Sequence, residues 1–264
     1  MSTFLIQRER SPSLRGNDNT VLTSDAAATL EAIETRNWLR QGDKIDISLA
    51  TLNLVQNAFC KEFLAKVVPI GSVEFVEAVL KRGHGIDRIK PQNVPVPLRK
   101  AEFLGRNINP SCTVEEIPAI MDTWGVDHVF VKSAERVKDE VTSIYSRKDL
   151  AAPALQGKKL FVSEVFKSII SEWRVFVYRG NVIDLRPYTG DRWTFPDQKK
   201  VMDMVAAINN DLHAYTLDVA VNGNLETVVV EVHNFLACGL YGANVPLEMY
   251  KAAYNQELSF CTDE

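Results

Sequence analysis

The chain has 264 residues, of which 46% are hydrophobic and 24% are charged. This composition supports a hydrophobic core and excludes a globally disordered chain, a collagen and a coiled coil. The 30 Lys and Arg residues and the 34 Asp and Glu residues leave a net charge of −4, so no general positive field attracts DNA or RNA. Nucleic acid is therefore not expected as a partner.

The first residues, MSTFLIQRERSPS, lack the apolar core of a secretory signal, and no window approaches the roughly 18 apolar residues that cross a bilayer. We expect a cytoplasmic protein without a membrane partner. The four cysteines are far apart and form no C-x-x-C pair. We therefore expect reduced structural thiols rather than a zinc site or a redox centre.

The N-terminal part of the sequence predicts an α/β arrangement. Its predicted elements, in chain order, are a loosely held arm or irregular strand at 1–20, a helix at 26–40 after an N-cap at Thr23 or Ser24, either a second helix or a helix with a flanking strand at 47–63, a strand at 66–70, and a helix capped by Ser72. Four of the eleven prolines then fall within residues 83–110, where they favour extended backbone. We place the division between an N-terminal domain, 1–110, and a C-terminal domain, 111–264, at the end of this segment.

The C-terminal part predicts antiparallel hairpins that alternate with helices. Its predicted elements, in chain order, are a strand at 128–132, a helix at 135–148, a strand at 160–165, a hairpin of 173–178 and 181–186 around Gly180, a helix at 197–212, a hairpin of 215–221 and 227–232, and a helix from Pro246. The expected fold class is therefore α+β, with the N-terminal part closer to α/β.

Two carboxylates mark the last hairpin as a candidate metal site. Asp218 and Glu231 are symmetrical about its turn, so they should face each other across the two strands. A divalent cation such as Mg²⁺ would convert their repulsion into attraction, whereas a solvated sheet edge would leave both side chains in water. Strand alternation adds His233 to the same face, and Asn234 joins it only if the strand kinks.

Phosphate binding would depend on cations carried by strands, because the sequence has neither a P-loop nor a G-x-G-x-x-G motif. Lys132 ends an apolar strand, where it either binds an anion or emerges into solvent. With a three-residue loop centred on Gly180, Arg174 faces Arg186 across the hairpin, and such a like-charge pair requires an anion nearby. A two-residue loop would place the two arginines on opposite faces.

The order of these residues resembles that of an ATP-grasp domain. The motifs that carry the resemblance are VVPIGSVEFVEAVLKRG, LGRNI, Lys132 on its strand, LFVSEV, EWRVFV and EVHNFLACGLYG. They cover about residues 66 to 258. The combination of EWRVFV with the late GLYG is similar to a divergent clade of bacterial and phage ATP-grasp proteins, which also contains a eukaryotic assembly factor for a translation initiation complex.

The resemblance implies a fold in which two α+β subdomains grip ATP after a smaller N-terminal domain. It implies that Lys132 binds phosphate, that Arg174 and Arg186 hold the phosphates or an acylphosphate, and that Asp218 and Glu231 bind Mg²⁺. The segment that would line the adenine is Phe161, Val162, Ser163, Glu164 and Val165, with Glu164 as a hinge contact.

One position departs from the family pattern, which has Asn two residues after the metal-binding Glu. Here that position is His233, and Asn comes at Asn234. Either His233 replaces the amide ligand, or a bulge brings Asn234 into its place, or the second metal site is weakened.

The activity implied by the resemblance is ATP-dependent ligation of a carboxylate to an amine through an acylphosphate, with a protein or peptide as one candidate substrate. The alternatives are an ATP-binding assembly factor without ligase turnover and a phosphotransferase that uses the same cleft. The sequence does not identify the two substrates.

Overall fold

The computed structural model describes residues 3–10, 20–22, 46–208 and 212–260. The predicted helix at 26–40 and its N-cap lie outside these residues. The chain divides into two compact units, of which the first comprises residues 1–89 and 234–264 and the second comprises residues 90–233. The boundary expected at residue 110 falls inside the second unit, and the assignment of 1–110 and 111–264 as separate domains stays a prediction.

The first unit contains a four-stranded sheet made of β1 (Thr3–Arg10), β2 (Thr20–Leu22), β3 (Asp46–Ala50) and β4 (Val67–Ile70). β1 is the central strand, because it pairs in parallel with β3 and β4 and in antiparallel orientation with β2. Phe4, Leu5 and Ile6 are at most 5% exposed. Of the two alternatives for this segment, the loosely held arm is therefore wrong, since pairing with distant strands buries its apolar residues.

The described helices of the first unit are α1 (Leu52–Asn57), α2 (Lys61–Leu64), α3 (Val73–His84) and, near the C-terminus, α7 (Leu247–Phe260). The alternative of a helix with a flanking strand is confirmed for residues 47–63. The predicted cap is also confirmed, because the Ser72 hydroxyl accepts a hydrogen bond from Phe75 N at 3.3 Å. At the other end of α3, Gly85 takes the left-handed conformation with φ of 80°.

The second unit contains two four-stranded sheets. The first sheet has the order β5-β8-β6-β7, with β5 (Ile108–Cys112), β6 (His128–Ser133), β7 (Ser143–Ser146) and β8 (Leu160–Glu164). The second sheet has the order β10-β9-β11-β12, with β9 (Ile169–Tyr178), β10 (Asn181–Gly190), β11 (Ala214–Asn222) and β12 (Thr227–Asn234). The helices described in this unit are α4 (Ala101–Leu104), α5 (Ile117–Trp124) and α6 (Gln198–Ile208).

Most of the predicted C-terminal elements are confirmed, but the helix at 135–148 is wrong. The Ser133 hydroxyl accepts hydrogen bonds from Glu135 N and Arg136 N, and the Asp139 carboxylate accepts one from Val141 N. These local bonds satisfy backbone donors in turns and so compete with a helix. The chain then returns as β7, which pairs with β6 in antiparallel orientation.

The α+β class is confirmed. Within the described residues, no helix is both long and apolar enough to span a membrane.

Candidate functional site

Three charged side chains form a row across three neighbouring strands of the second sheet. Arg174 on β9 lies directly opposite Arg186 on β10 and Asp218 on β11. Directly opposed residues of adjacent strands point to the same face of a sheet. The row therefore places two guanidinium groups and a carboxylate side by side.

The hairpin reaches this register in a way that differs from the prediction. Its loop has two residues, Arg179 and Gly180, both with positive φ (49° and 71°), rather than three. A two-residue loop alone would place the arginines on opposite faces. A register shift between Val182 and Asp184 adds one residue to β10, and Arg186 then faces Arg174. The predicted pairing is confirmed, whereas the predicted loop length is wrong.

Arg174 and Asp218 form a buried, bidentate ion pair. Arg174 Nε donates to Asp218 Oδ1 at 2.8 Å, and a terminal nitrogen of Arg174 donates to Asp218 Oδ2 at 2.7 Å. Only 8% of the Arg174 side chain and 1% of the Asp218 side chain are exposed. Two parallel charge-assisted hydrogen bonds compensate for the desolvation of both ions, so the pair holds the carboxylate in a defined orientation.

Lys132 and Glu231 form a second ion pair, which joins the two sheets. Lys132 Nζ on β6 donates to Glu231 Oε2 on β12. Burial opposes ionisation of Glu231, but the positive charges of Lys132 and His233 outweigh it and hold its pKa well below the ordinary value. Glu231 is therefore an anion at neutral pH although little of it is exposed.

Asp218, Glu231 and His233 form a cluster in which one ligand atom of each lies within 4.8 Å of the others. His233 Nε2 is 2.5 Å from Glu231 Oε1 and 3.8 Å from Asp218 Oδ2. Two carboxylates and an imidazole are a donor set that fits a divalent cation. The sequence prediction of a shared face holds for these three side chains.

Asn234 is engaged elsewhere. Its Nδ2 atom donates to the buried carboxylate of Glu257 on α7, and its Oδ1 atom accepts from Leu236 N at 3.2 Å. Strand alternation explains this, because successive side chains of β12 point to opposite faces. Of the two candidate replacements for the expected amide ligand, His233 is the one that the structure brings to the carboxylates.

Arg186 is the most accessible of the three candidate cations, with 38% of its side chain exposed. Its guanidinium donates to Asp184 Oδ2 from two nitrogens, at 2.8 and 3.1 Å. A pair that is this exposed is weakly held, so Arg186 is available to an external anion.

The five residues predicted to line an adenine do not share one environment. The Lys132 ammonium lies 5.1 Å from the centre of the Phe161 ring, and Val162 packs in the hydrophobic core of the first sheet. Ser163 is buried. Glu164 Oε2 accepts a hydrogen bond from Asn107 N at 2.7 Å. Glu164 and Val165 line a cleft of about 850 Å³. The alternation of β8 thus divides the segment between the cleft side and the core.

Asn93 is a positioning residue that sequence reasoning did not find. Its carbonyl accepts from Val232 N at 2.6 Å, and its side-chain Nδ2 donates to Ser133 O at 3.4 Å. These two partners are the neighbours of Glu231 and Lys132, so Asn93 links the two strands beside the ion pair. The available signal was an Asn in a proline-rich stretch, since Asn tolerates the positive φ of 51° found here.

Arg106 also holds β12 and was noted in the sequence only as part of the LGRNI motif. Its guanidinium donates to Val229 O at 2.6 Å and Val230 O at 2.9 Å, and it lies 4.1 Å from the centre of the Phe166 ring. Burial lowers the pKa of Arg106 to about 10, although the negative charges of Glu231 and Glu164 oppose this shift. Arg106 thus remains a cation at neutral pH beside the strand that carries Glu231.

Tyr188 adds a further polar group near the row of charges. Burial raises the pKa of its hydroxyl, and a hydrogen bond to the Glu172 carboxylate raises it further. Tyr188 therefore stays protonated and donates to Glu172. Its ring lies 5.7 Å from the Arg174 guanidinium carbon.

Comparison with known families matches residues 103–252, which are more than half of the chain, to an ATP-grasp domain family, the second family of its clade. No curated protein matches the sequence.

Three solved structures resemble the fold at low sequence identity. D-cycloserine synthetase DcsG has a TM-score of 0.61 and 11% identity, over 97% of this chain and 100% of that chain. ATP-grasp ligase PsnB, complexed with a phosphomimetic variant of a minimal precursor, Mg and ADP, has a TM-score of 0.53 and 14% identity, over 97% and 98% of the two chains. Macrocyclase MdnC from Microcystis aeruginosa MRC, bound with precursor peptide MdnA, has a TM-score of 0.53 and 12% identity, over 95% and 97%.

These likenesses confirm the predicted ATP-grasp fold. The chain belongs to the ATP-grasp superfamily, in the clade family that its residues 103–252 match.

Proposed function

We propose that this protein is an ATP-dependent carboxylate–amine ligase that uses Mg²⁺ and proceeds through an acylphosphate. The observation that carries the proposal is that two cations, Lys132 and Arg174, each pair with a carboxylate of one cluster, which also contains His233. Such a site has partners both for phosphate oxygens and for a divalent cation.

The charges of the site suit an exchange of partners when the nucleotide binds. Lys132 neutralises Glu231, and Arg174 neutralises Asp218. Both cations can move to phosphate oxygens without leaving a buried carboxylate unpaired, provided that a divalent cation binds there at the same time. Asp218, Glu231 and His233 would hold this ion. Bound Mg²⁺ supplies neutralisation of negative charge on the phosphates.

In the proposed reaction, a substrate carboxylate oxygen forms a bond to the γ-phosphorus, and the bond to the bridging oxygen breaks with its electron pair leaving on ADP. The amine nitrogen then bonds to the acyl carbon, inorganic phosphate leaves with the electron pair of the broken C–O bond, and the nitrogen loses a proton. Lys132, Arg174 and Arg186 would stabilise the negative charge on the transferring phosphoryl group, since preorganised cations lower such barriers.

The nucleotide base would lie along β8. Phe161 offers an aromatic face beside Lys132, and Glu164 and Val165 line the 850 Å³ cleft. Val162 would act from the core by fixing the strand, and Ser163 by its hydroxyl bond to Glu164 O at 3.0 Å. Glu164, as the hinge contact, would accept a hydrogen bond from the exocyclic amine of adenine.

A protein or peptide is the proposed source of at least one reacting group. The support is that two neighbours of the same fold, PsnB and MdnC, were solved with a precursor or precursor peptide. An ATP-binding assembly factor without turnover is the second candidate. The observation that favours it is His233, which stands where the family pattern has an amide oxygen.

The first test measures binding of Mg²⁺-ATP by isothermal titration calorimetry. Glu231→Gln and Lys132→Met should each weaken binding by at least about tenfold, because each removes a charge that the bound complex uses. Asp203→Asn changes an exposed carboxylate that pairs with Lys199 on α6 and serves as the matched control. Wild-type affinity in both site variants, with native circular dichroism, would contradict the proposal.

The second test separates ligase from assembly factor and phosphotransferase. The protein is incubated with ATP, Mg²⁺ and a peptide library that contains Asp, Glu, Lys and Ser side chains, and products are measured by mass spectrometry. The proposal predicts loss of one water from a peptide together with release of ADP. A stable gain of phosphate on the peptide would indicate phosphotransfer, and tight ATP binding with no ADP release would favour the assembly role.

A further inference from the structure

The metal cluster contains a nitrogen donor that faces its carboxylates. His233 and Glu231 alternate on β12, so both point to the same face, while Val232 between them is fully buried on the other. The His233 atom nearest to the carboxylates is Nε2, at 2.5 Å from Glu231 Oε1 and 3.8 Å from Asp218 Oδ2. About 30% of the His233 side chain is exposed, so an ion can reach Nε2 from solvent.

A mixed nitrogen and oxygen donor set has a different selectivity from an oxygen set. Mg²⁺ is a hard cation that prefers oxygen ligands and loses its hydration water reluctantly. An imidazole nitrogen instead suits first-row transition metals, whose affinity for a given site rises from Mn²⁺ through Fe²⁺ and Co²⁺ to Ni²⁺. Asp218, Glu231 and His233 lie close enough together to act on one ion, since their ligand atoms are within 4.8 Å of one another.

We propose that Asp218, Glu231 and His233 bind a first-row transition-metal dication, with His233 Nε2 as a direct ligand, more tightly than they bind Mg²⁺. The identification of the cluster as the metal site rests on the proposed function, but the selectivity follows from the donor atoms. His233 thereby sets which ion accompanies the nucleotide.

A competing role for His233 is to donate a hydrogen bond to Glu231 and only orient it. In that case the ion would contact oxygen atoms alone, and replacing His233 with another hydrogen-bond donor would leave the order of metal affinities unchanged. His233→Asn keeps an amide donor and adds an oxygen acceptor of similar reach, so it separates the two roles.

The direct experiment is pulsed electron paramagnetic resonance of the full-length protein with Mn²⁺ alone and with Mn²⁺ plus ADP. Coordination by His233 predicts modulation from a directly bound ¹⁴N nucleus in the wild type and its loss in His233→Asn. The matched control is His128→Asn, because His128 is exposed on β6 and is not part of the cluster. An absence of nitrogen coupling in the wild-type protein would overturn the proposal.

The second experiment measures affinities for Mg²⁺, Mn²⁺ and Co²⁺ by competition, without any assay of turnover. His233→Asn should weaken Co²⁺ binding by at least about tenfold and change Mg²⁺ binding by less than about threefold. Equal losses for all three ions would overturn the selectivity. His233→Gln, with thermal unfolding of every variant, shows whether any loss arises from misfolding.

The two proposals can fail separately. Nitrogen-coupled Mn²⁺ binding in a protein that never consumes ATP would contradict the ligase and leave the metal assignment intact. ATP-dependent ligation with an oxygen-only metal spectrum would support the ligase and overturn the role of His233.

Discussion

Lys132 and Glu231 form an ion pair between two sheets of one unit, although 99 positions separate them in the chain. The pair depends on the close approach of β6 and β12, to which Asn93 contributes a hydrogen bond on each side. Electrostatics, strand pairing and the proposed nucleotide site therefore meet at the same contact.

Lys132→Met should destabilise the protein in a pH-dependent way. Because the pKa of Glu231 lies below its ordinary value of 4.5, the pair contributes its full stability above about pH 5 and loses it as pH falls through the lower folded value. We expect a loss of about 2 kcal/mol at neutral pH, less than for a fully buried pair because 22% of the Glu231 side chain is exposed. Urea unfolding at several pH values measures it.

Without Lys132, burial raises the pKa of Glu231, so the deficit of the variant should shrink on acidification. The double variant Lys132→Met with Glu231→Gln should lose less than the sum of the two single changes. A deficit that is independent of pH would show that the pair is not the cause.

Removing either partner of the Arg174–Asp218 pair should be costly. Arg174→Met leaves the Asp218 carboxylate, which is 1% exposed, without its cation, and we expect a loss of about 3–5 kcal/mol in the free energy of unfolding. Replacing both residues with apolar ones should cost less than Arg174→Met alone. Asp203→Asn, at an exposed pair, should change stability by less than about 0.5 kcal/mol. Comparable effects at the two pairs would refute the argument.

Gly190→Ala should disturb the end of β10, the strand that carries Arg186. Gly190 has φ of 76°, and an added Cβ would lie 2.2 Å from the carbonyl oxygen of Ile170. We expect a loss of about 3 kcal/mol or more from strain and clash together. Gly157 has a similar φ of 69° but no atom within 4 Å of its Cβ position, so Gly157→Ala should cost only about 1–2 kcal/mol. Equal thermal shifts for the two variants would contradict the steric explanation.

Cys112 should resist alkylation in the native protein. Burial raises the pKa of its thiol to about 11, with a smaller contribution from the charge of Glu116. At pH 8 on the order of one thiol in a thousand is then ionised. Cys60 is exposed and should react with iodoacetamide at an ordinary rate. Peptide mass spectrometry distinguishes the two thiols, and equal labelling without denaturant would argue against a buried Cys112.

The strands that carry the site follow from local sequence. β6, β9, β11 and β12 are runs of β-branched and aromatic residues, whose preference for extended backbone acts over a few neighbours. Alternation along β12 likewise predicts that Glu231 and His233 share a face. The local rule failed at residues 135–148, where the side chains of Ser133 and Asp139 satisfy backbone donors and so stabilise turns instead of a helix.

The sequence by itself determined the residue types of the site and their spacing along each strand. Only the tertiary structure decided which of them meet, because strand order and register depend on contacts between distant segments. The register shift beside Asp184 turns Arg186 toward Arg174, and the pairing of β9 with β11 brings Arg174 to Asp218. The approach of β6 to β12 adds Lys132. Alternating charge along a strand is a local property, whereas the balance of two cations against two carboxylates in a cluster requires three dimensions.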